Sequence, residues 1–458
     1  IISFLEKSSG KIIRPFMASG KEIFTAVNYQ YAQSLSNEVS AALKEAPKLV
    51  EEEAVDEEKM GDIIRKEAPV AKIVSALLSF ATKARASDIH IEPQEDKTRV
   101  RFRIDGILME KLILPSGIHD AVVSRIKILS DLKIDEKRIP QDGRFNFKGG
   151  DIEVDIRVST LPTANGEKIV MRLLRKSGGI PTMADLGLRG TALKNLEAEI
   201  LKPHGIVIVC GPTGSGKTTT LYAVLSKINS VKVNISTLED PVEYKMAGIN
   251  QVQVNVAAGL TFASGLRAFL RQDPNVILVG EIRDEETTRL AIQASLTGHL
   301  VFSTLHTNSA AGALPRLLDM GAESFLLASS INACVGQRIC RKICAACKEE
   351  FDPPKEAVDD IKMVLEKLFP PEKTAEFKLY RGKGCTACGN TGYTGRLGIF
   401  EVLPVTDKIG KLILERATAG DLEKFAREEG MITMKQDGYL KVLEGVTTLE
   451  EVVRVAQD

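Results

Sequence analysis

The sequence predicts an α/β domain with a mostly parallel sheet, preceded by a smaller α+β domain and closed by helices. Three observations predict it. Apolar runs at 206–210, 234–238, 276–280 and 300–304 alternate with helical stretches, the pattern of a parallel sheet covered on both faces. Upstream, Thr98-Arg-Val-Arg-Phe-Arg-Ile104 and Ile152-Glu-Val-Asp-Ile-Arg-Val158 alternate with period two, as half-buried strands do. Between them and the later strands, Gly205-Ile-Val-Ile-Val-Cys-Gly-Pro-Thr-Gly-Ser-Gly-Lys-Thr218 joins a buried-type strand to a glycine-rich loop and a helix.

Composition sets the outer bounds. A chain of 458 residues exceeds one ordinary core, so two to four domains are expected. Hydrophobic content of 44% and charged content of 27% are those of a soluble globular protein. The 61 basic and 61 acidic residues cancel, which excludes a global electrostatic bias toward nucleic acid or anionic membrane. No apolar run is long enough to cross a bilayer, and Ile1 does not open a signal peptide; a start at Ile reads as a fragment or trimmed form. The count of 7 cysteines is odd, which argues against a simple disulfide framework, and free-standing cysteines beside a phosphate-binding loop imply a reducing, cytoplasmic setting.

In chain order, residues 1–48 show no strong period, and Glu51 to Glu58 form an acidic linker or the solvated start of a helix. Val70, Ile73, Val74, Leu77, Leu78 and Ala81 then share one helical face. A helix over Val122–Leu132 is expected to pack on the period-two strands, and Ser177-Gly-Gly-Ile-Pro181 marks the domain boundary. Residues 340–398 read as a Cys- and Gly-rich insertion and 405–458 as helices. The last of these is opened by a capping box of Thr448 and Glu451.

The chemistry-bearing residues cluster after position 205. Gly211-Pro212-Thr213-Gly214-Ser215-Gly216-Lys217-Thr218 has the P-loop spacing, with Thr219 continuing into the helix. Its amides and the helix N-terminus face an anion; Lys217 reaches the β/γ-phosphates of ATP and the Thr218 hydroxyl takes Mg²⁺. Asn275-Val-Ile-Leu-Val-Gly-Glu281 is a buried strand ending in an acid, suited to holding Mg²⁺ or taking a proton from water. Between them, Glu239, Asp240 and Glu243 cluster after a strand; a solvated turn competes with a role in Mg²⁺ or water placement. His299 and His306 flank a strand expected beside the P-loop strand, which points to γ-phosphate sensing or, equally, to packing.

Two Cys-x-x-Cys pairs, Cys344/Cys347 and Cys385/Cys388, fit a closed tetrahedral Zn²⁺ site, against a redox-active alternative. Cys340 could displace Cys344, whereas Cys210 and Cys334 read as ordinary buried thiols.

Together these blocks resemble the GspE/PilB family of type II secretion and type IV pilus assembly ATPases. The matching segments are 211–218, 237–243, 276–284 and 298–308, joined by Ser87–Pro93, Arg101–Gly106, Arg138–Arg144 and Val158–Glu167. The resemblance runs from about Glu67 to the C-terminus. It implies a PAS-like α+β domain over 59–178 and a RecA-like ATPase domain over 179–458. The latter carries a zinc-binding subdomain at 340–398 and C-terminal helices at 405–458. Residues 1–58 would be the remnant of an N-terminal docking domain plus linker, with Ile12 to Phe24 loosely similar to its end. Also implied are a homo-hexamer with ATP bound between the two domains, peripheral to the inner membrane. Its partners would be a membrane platform protein and a membrane-linked adaptor reached through the N-terminal domain. By the same resemblance Arg157 and Arg172, with Arg267 and Arg271, approach the nucleotide, where guanidinium charge stabilises a transferring phosphoryl group. Family assembly motors carry the tetracysteine element and retraction motors lack it, which favours assembly.

Glu281 and Glu239 compete for the base role. A nucleic-acid-translocating RecA-like motor is the alternative; balanced charge and the lack of a basic, aromatic-rich channel segment count against it. A non-enzymatic nucleotide-gated scaffold is disfavoured by the intact lysine, threonine and acidic blocks.

Overall fold

The computed structural model describes residues 60–149, 152–175, 179–370 and 378–456. The docking-domain and linker expectations for 1–58 lie outside them. The chain divides into two compact units, one running to Ser177 and including Cys385–Asn390, the other Gly178–Gly384 with Thr391–Asp458.

The first unit begins with helix α1 (Met60–Lys83), whose Ile73, Val74, Leu77, Leu78 and Ala81 are buried as the helical period requires. Six strands follow: β1 (Ala86–Pro93), β2 (Lys97–Ile104), β3 (Ile107–Pro115), β4 (Gln141–Gly149), β5 (Ile152–Thr163) and β6 (Gly166–Arg175), with α2 (His119–Leu129) between β3 and β4. They form one antiparallel sheet in the order β3-β2-β1-β6-β5-β4. Ile89, Ile91, Val100, Phe102, Val154, Ile156 and Val158 make an apolar face that packs with α1 and α2.

Helix α2 is displaced toward the N-terminus of the expected Val122–Leu132. Asp131 adopts φ 56°, and Leu132 N–H donates to Lys127 O at 2.9 Å, a Schellman ending with Asp where glycine is usual. Without the glycine signal, apolar periodicity ran past the true end.

The second unit is built on α3 (Gly190–Ile200), β7 (Gly205–Cys210), α4 (Lys217–Ile228), β8 (Ile235–Glu239), β9 (Asn250–Gln253), α5 (Phe262–Phe269), β10 (Val276–Val279), α6 (Glu285–Leu296), β11 (Leu300–Leu305), α7 (Ala313–Asp319) and α8 (Ser324–Ser330). Then come β12 (Ile331–Ile343), β13 (Lys348–Phe351), α9 (Lys355–Leu365), β14 (Leu379–Gly382), β15 (Tyr393–Pro404), α10 (Asp407–Leu414), α11 (Ala419–Glu428), α12 (Met434–Leu443) and α13 (Leu449–Val455). The seven-stranded sheet runs β15-β12-β7-β11-β10-β8-β9, parallel throughout except for β15 against β12. Both faces are buried: Ile206, Ile208 and Cys210 of β7 join one cluster, while Val207 and Val209 join the other. That is why its strands read as continuous apolar runs.

Two sheet strands lie partly inside the expected insertion. The first residues of 340–398 complete β12 and the last ones open β15, so the excursion proper is 344–392. It carries the β13–β14 ribbon and α9, and packs on α12 through Ile361, Leu365, Leu379, Tyr439 and Val442. Thr448 caps α13 as expected, accepting from Glu451 N–H. The Glu451 carboxylate turns instead to Arg341 and Arg454.

Candidate functional site

The glycine-rich loop leaves β7 at the carboxyl edge of the sheet. Gly211, Gly214 and Gly216 adopt φ of 154°, 81° and 86°, and a Cβ on Gly211 would stand 2.5 Å from Ser215 Oγ and 2.7 Å from Gln337 O. No side chain fits there. Pro212, Thr213, Gly214 and Thr218 are exposed on the open side, Ser215 is buried beneath, and Thr219 lies in the first turn of α4. The Lys217 ammonium donates to Gly211 O at 2.7 Å and Pro212 O at 3.2 Å; burial lowers its pKa. The loop thus offers amides, a helix N-terminus and a lysine to an anion.

Sheet order brings the other predicted residues alongside. β7, β11, β10 and β8 are neighbours, so the loop, His306, Glu281 and Glu239 follow adjacent parallel strands at their carboxyl ends, where open α/β sheets bind ligands. Ser303 Oγ donates to Val279 O at 2.7 Å and Thr304 Oγ1 to Gly280 O at 2.8 Å, locking the ends of β10 and β11 together. Glu281 Oε1 lies 2.6 Å from Arg283 Nη2, and Oε2 lies 3.4 Å from His306 Nε2.

The two acids differ in freedom. Glu239 is buried, and its carboxylate accepts from the Tyr222 hydroxyl, Thr237 Oγ1 and Gln251 Nε2. Burial and the Glu239 carboxylate both push the Tyr222 phenol far up, so it remains a donor. His299 is absent from this edge. It precedes β11, at the far end of a six-residue strand, about 20 Å away by strand rise. Its Nδ1 sits 2.8 Å from Ala294 O, closing the end of α6.

The predicted arginines fall into two groups. On the second unit, Arg267 pairs with Glu286 and Arg271 Nη1 donates to Arg267 O at 2.9 Å. In the first unit, strand register aligns Arg144, Arg157 and Arg172 across β4, β5 and β6. Arg157 lies on the face opposite Ile156 and Val158. Arg172 Nε donates at 3.2 Å to Asp88 Oδ1, whose carboxylate is buried and also lies 3.4 Å from Arg103 Nε. Arg144, Arg157 and Arg172 line a cleft of about 780 Å³ with Asp131 and Asp142.

Cys344, Cys347, Cys385 and Cys388 converge, their sulfurs all within 4.8 Å of one another. Lys383 N–H donates to Cys347 O at 3.0 Å, Cys344 N–H to Gly392 O at 2.9 Å, and Cys385 and Cys388 Sγ are 3.7 Å apart. A disulfide is far shorter, whereas a tetrahedron of ~2.3 Å Zn–S bonds has edges of about 3.8 Å. Four soft donors at that spacing fit zinc. Cys340 is outside the cluster: it is buried on β12, and burial pushes its thiol up to about 12.

The family described as Type II/IV secretion system protein matches residues 64–454. The chain belongs to that family. It is 49% identical over 388 residues to the type IV pilus assembly ATPase PilB of Myxococcus xanthus, covering 84% of this chain and 68% of that protein. It is 46% identical over 451 residues to type II secretion system protein E of Pseudomonas aeruginosa, covering 97% and 88%. Among solved structures, the pilus retraction motor PilT with bound ADP aligns with a TM-score of 0.55 at 26% identity, over 84% of this chain and 97% of that one. The chain is therefore a P-loop ATPase of the secretion and pilus family, with the α/β ATPase fold expected. Among the described residues no helix is long and apolar enough to cross a membrane.

In this member of the family the sequence reading missed Gln337 and Arg338. The last β12–β7 pair is Gly336 with Cys210, so β12 overshoots β7 and carries Gln337 beside the loop. Gln337 Nε2 donates to Ser215 O at 2.6 Å. Arg338 Nη1 donates to Gln337 O at 3.1 Å and Nη2 to Asn308 O at 2.9 Å. The signal was present: two long polar residues one glycine beyond the apolar run Ala333 to Val335, buried with it.

Proposed function

We propose that the chain is the ATP-hydrolysing subunit of a homo-hexamer on the cytoplasmic side of an inner membrane, driving (pseudo)pilin assembly through a platform protein in type IV pilus assembly or type II secretion. The observation that carries this is the row of Lys217, His306 and Glu281 at neighbouring strand ends in a chain of this family. The amides of Thr213–Thr219 cradle the phosphates, and Lys217 exchanges Gly211 O and Pro212 O for phosphate oxygens. The Thr218 hydroxyl and Glu281 are oxygen donors suited to a hard cation and would hold Mg²⁺, which supplies charge neutralisation when bound.

Glu281 takes the proton of the attacking water, oriented by Arg283 and His306. Glu239, engaged by three donors, fixes the end of β8 rather than moving a proton. Arg157 and Arg172 supply guanidinium charge to the phosphoryl group, as do Arg267 and Arg271 once Glu286 is released. Zinc on Cys344, Cys347, Cys385 and Cys388 fills a closed, structural site. A membrane-linked adaptor binds through the N-terminal segment, and nucleic acid is not a direct partner.

Steady-state ATP hydrolysis against protein concentration, with Lys217→Ala as blank, tests this. Specific activity that rises and saturates supports completion of the site by assembly. Parent activity equal to the blank at every concentration would sink the reading. The membrane protein that co-purifies separates pilus assembly from secretion.

A further inference from the structure

Glu401 is a buried carboxylate on β15 for which the hydrolysis chemistry has no use. It stands opposite Gly336 in the β12–β15 ladder, and a Cβ on Gly336 would come within 2.6 Å of its Oε1. The glycine opens the space into which the carboxylate folds. There it accepts two main-chain hydrogen bonds, from Ala310 N–H at 2.6 Å on Oε1 and from Met434 N–H at 3.1 Å on Oε2. Ala310 closes the loop that leaves β11 with His306, and Asn308 in the same loop is gripped by Arg338. Met434 is the first residue of α12, which is tied to β15 next door, where Phe400 N–H donates to Asp437 Oδ2 at 2.9 Å.

We propose that Glu401 is a positioning residue that ties the loop carrying His306 to the N-terminus of α12, so that the C-terminal helices and the Glu281–His306 pair share one anchor. A carboxylate suits this role because each oxygen accepts from a different element; an amide can accept on one side only. Displacing α12 must pull Oε2 and with it the loop, since buried main-chain donors do not go unpaired cheaply. The functional part of this inference rests on the proposed roles of Glu281 and His306.

The experiment uses the full chain with Glu401→Gln and Met434→Pro, read by ATP kinetics and by amide hydrogen exchange. Proline is tolerated at the first helical position, and Thr433 already has the extended φ of −72° and ψ of 160° that precede it, so Met434→Pro deletes the N–H with the helix kept. Met434→Ala removes the same side chain but keeps the N–H. Expected for Glu401→Gln is a kcat lowered tenfold or more with KM for ATP within twofold, and faster exchange at both 306–310 and 434–437. Expected for Met434→Pro, but not Met434→Ala, is faster exchange at 306–310. Wild-type kcat and exchange in Glu401→Gln would overturn the positioning role, and equal loop exchange in the two Met434 variants would overturn the link. Should the parent not hydrolyse ATP at all, the hydrolysis reading fails while the exchange results still decide the link.

Discussion

Replacing Gln337 with Met tests whether β12 shapes the nucleotide loop. The side chain keeps its length, but Nε2, which donates to Ser215 O at 2.6 Å, is gone. Both residues are buried, so water cannot replace the donor, and an orphaned buried carbonyl costs about 1–3 kcal/mol. Gln337 Oε1 accepts no hydrogen bond among the described residues, so its removal offsets part of that cost in the folded protein whatever the loop does. Thermal stability should therefore change little. Nucleotide affinity should not escape, because the Ser215 carbonyl is fixed only in the anion-cradling shape, and every loop conformation that frees it subtracts from the competent population. At ~1.4 kcal/mol per tenfold, the expected loss is about 5- to 150-fold in ADP or ATP affinity. Titration with a fluorescent ADP analogue, beside a melt of the same sample, measures both. Parent-like affinity in a well-folded Gln337→Met would refute the argument.

Three further outcomes are expected. Glu281→Gln should bind ATP normally and lose roughly 10²- to 10⁴-fold in turnover, the usual worth of a general base; Glu239→Gln should instead perturb folding around Tyr222, and the reverse pattern in a single-turnover assay would exchange their roles. Protein purified without chelator should contain zinc, lost in Cys344→Ser/Cys347→Ser along with protease resistance of 344–392, while nucleotide affinity at the P-loop is retained; a zinc-free parent by elemental analysis refutes the site. Burial works against ionisation of Glu451, but bonds from Arg454 and Arg341 outweigh it and hold its pKa at about 2, below the ordinary 4.5. A depressed carboxylate stabilises above its ordinary pKa and loses that contribution as pH falls through the folded one. Packing of α13 on β12 should accordingly weaken between about 4.5 and 2, and Glu451→Gln should flatten that acid limb of a melting-temperature profile.

The strongest features of the site were written in local sequence. An apolar strand, glycines at fixed offsets and a lysine specify the P-loop because strand, turn and helix are contiguous in the chain. The acid ending β10 and the two Cys-x-x-Cys pairs are legible for the same reason. What escaped depends on distant pairing. β15 joins β12 only after the 344–392 excursion closes, and Cys and Gly near both ends masked the two strands. His299 and His306 look equivalent in sequence, yet a six-residue strand carries them to opposite edges of the sheet. The end of α2 escaped because Asp131 takes the left-handed position that glycine announces elsewhere.

The buried polar residues on β12 and β15 give those two strands a mechanical meaning. Past Gly336 the pair no longer borders β7, so its remaining length projects beyond the carboxyl edge, toward Cys344 at one end and away from the excursion at the other. At the base of that projection Gln337 holds the loop, Arg338 holds Asn308, and Glu401 holds Ala310. At its tip Arg341 joins Glu451 of α13 and stacks over Tyr393. A paired ribbon transmits a bend along its length because its ladder hydrogen bonds resist shear between strands. The excursion and α13 are thus joined through this ribbon to the three residues that hold the P-loop and the histidine loop. The connection is made by buried polar side chains, Gln337, Arg338 and Glu401, placed where an apolar core would have been cheaper to pack.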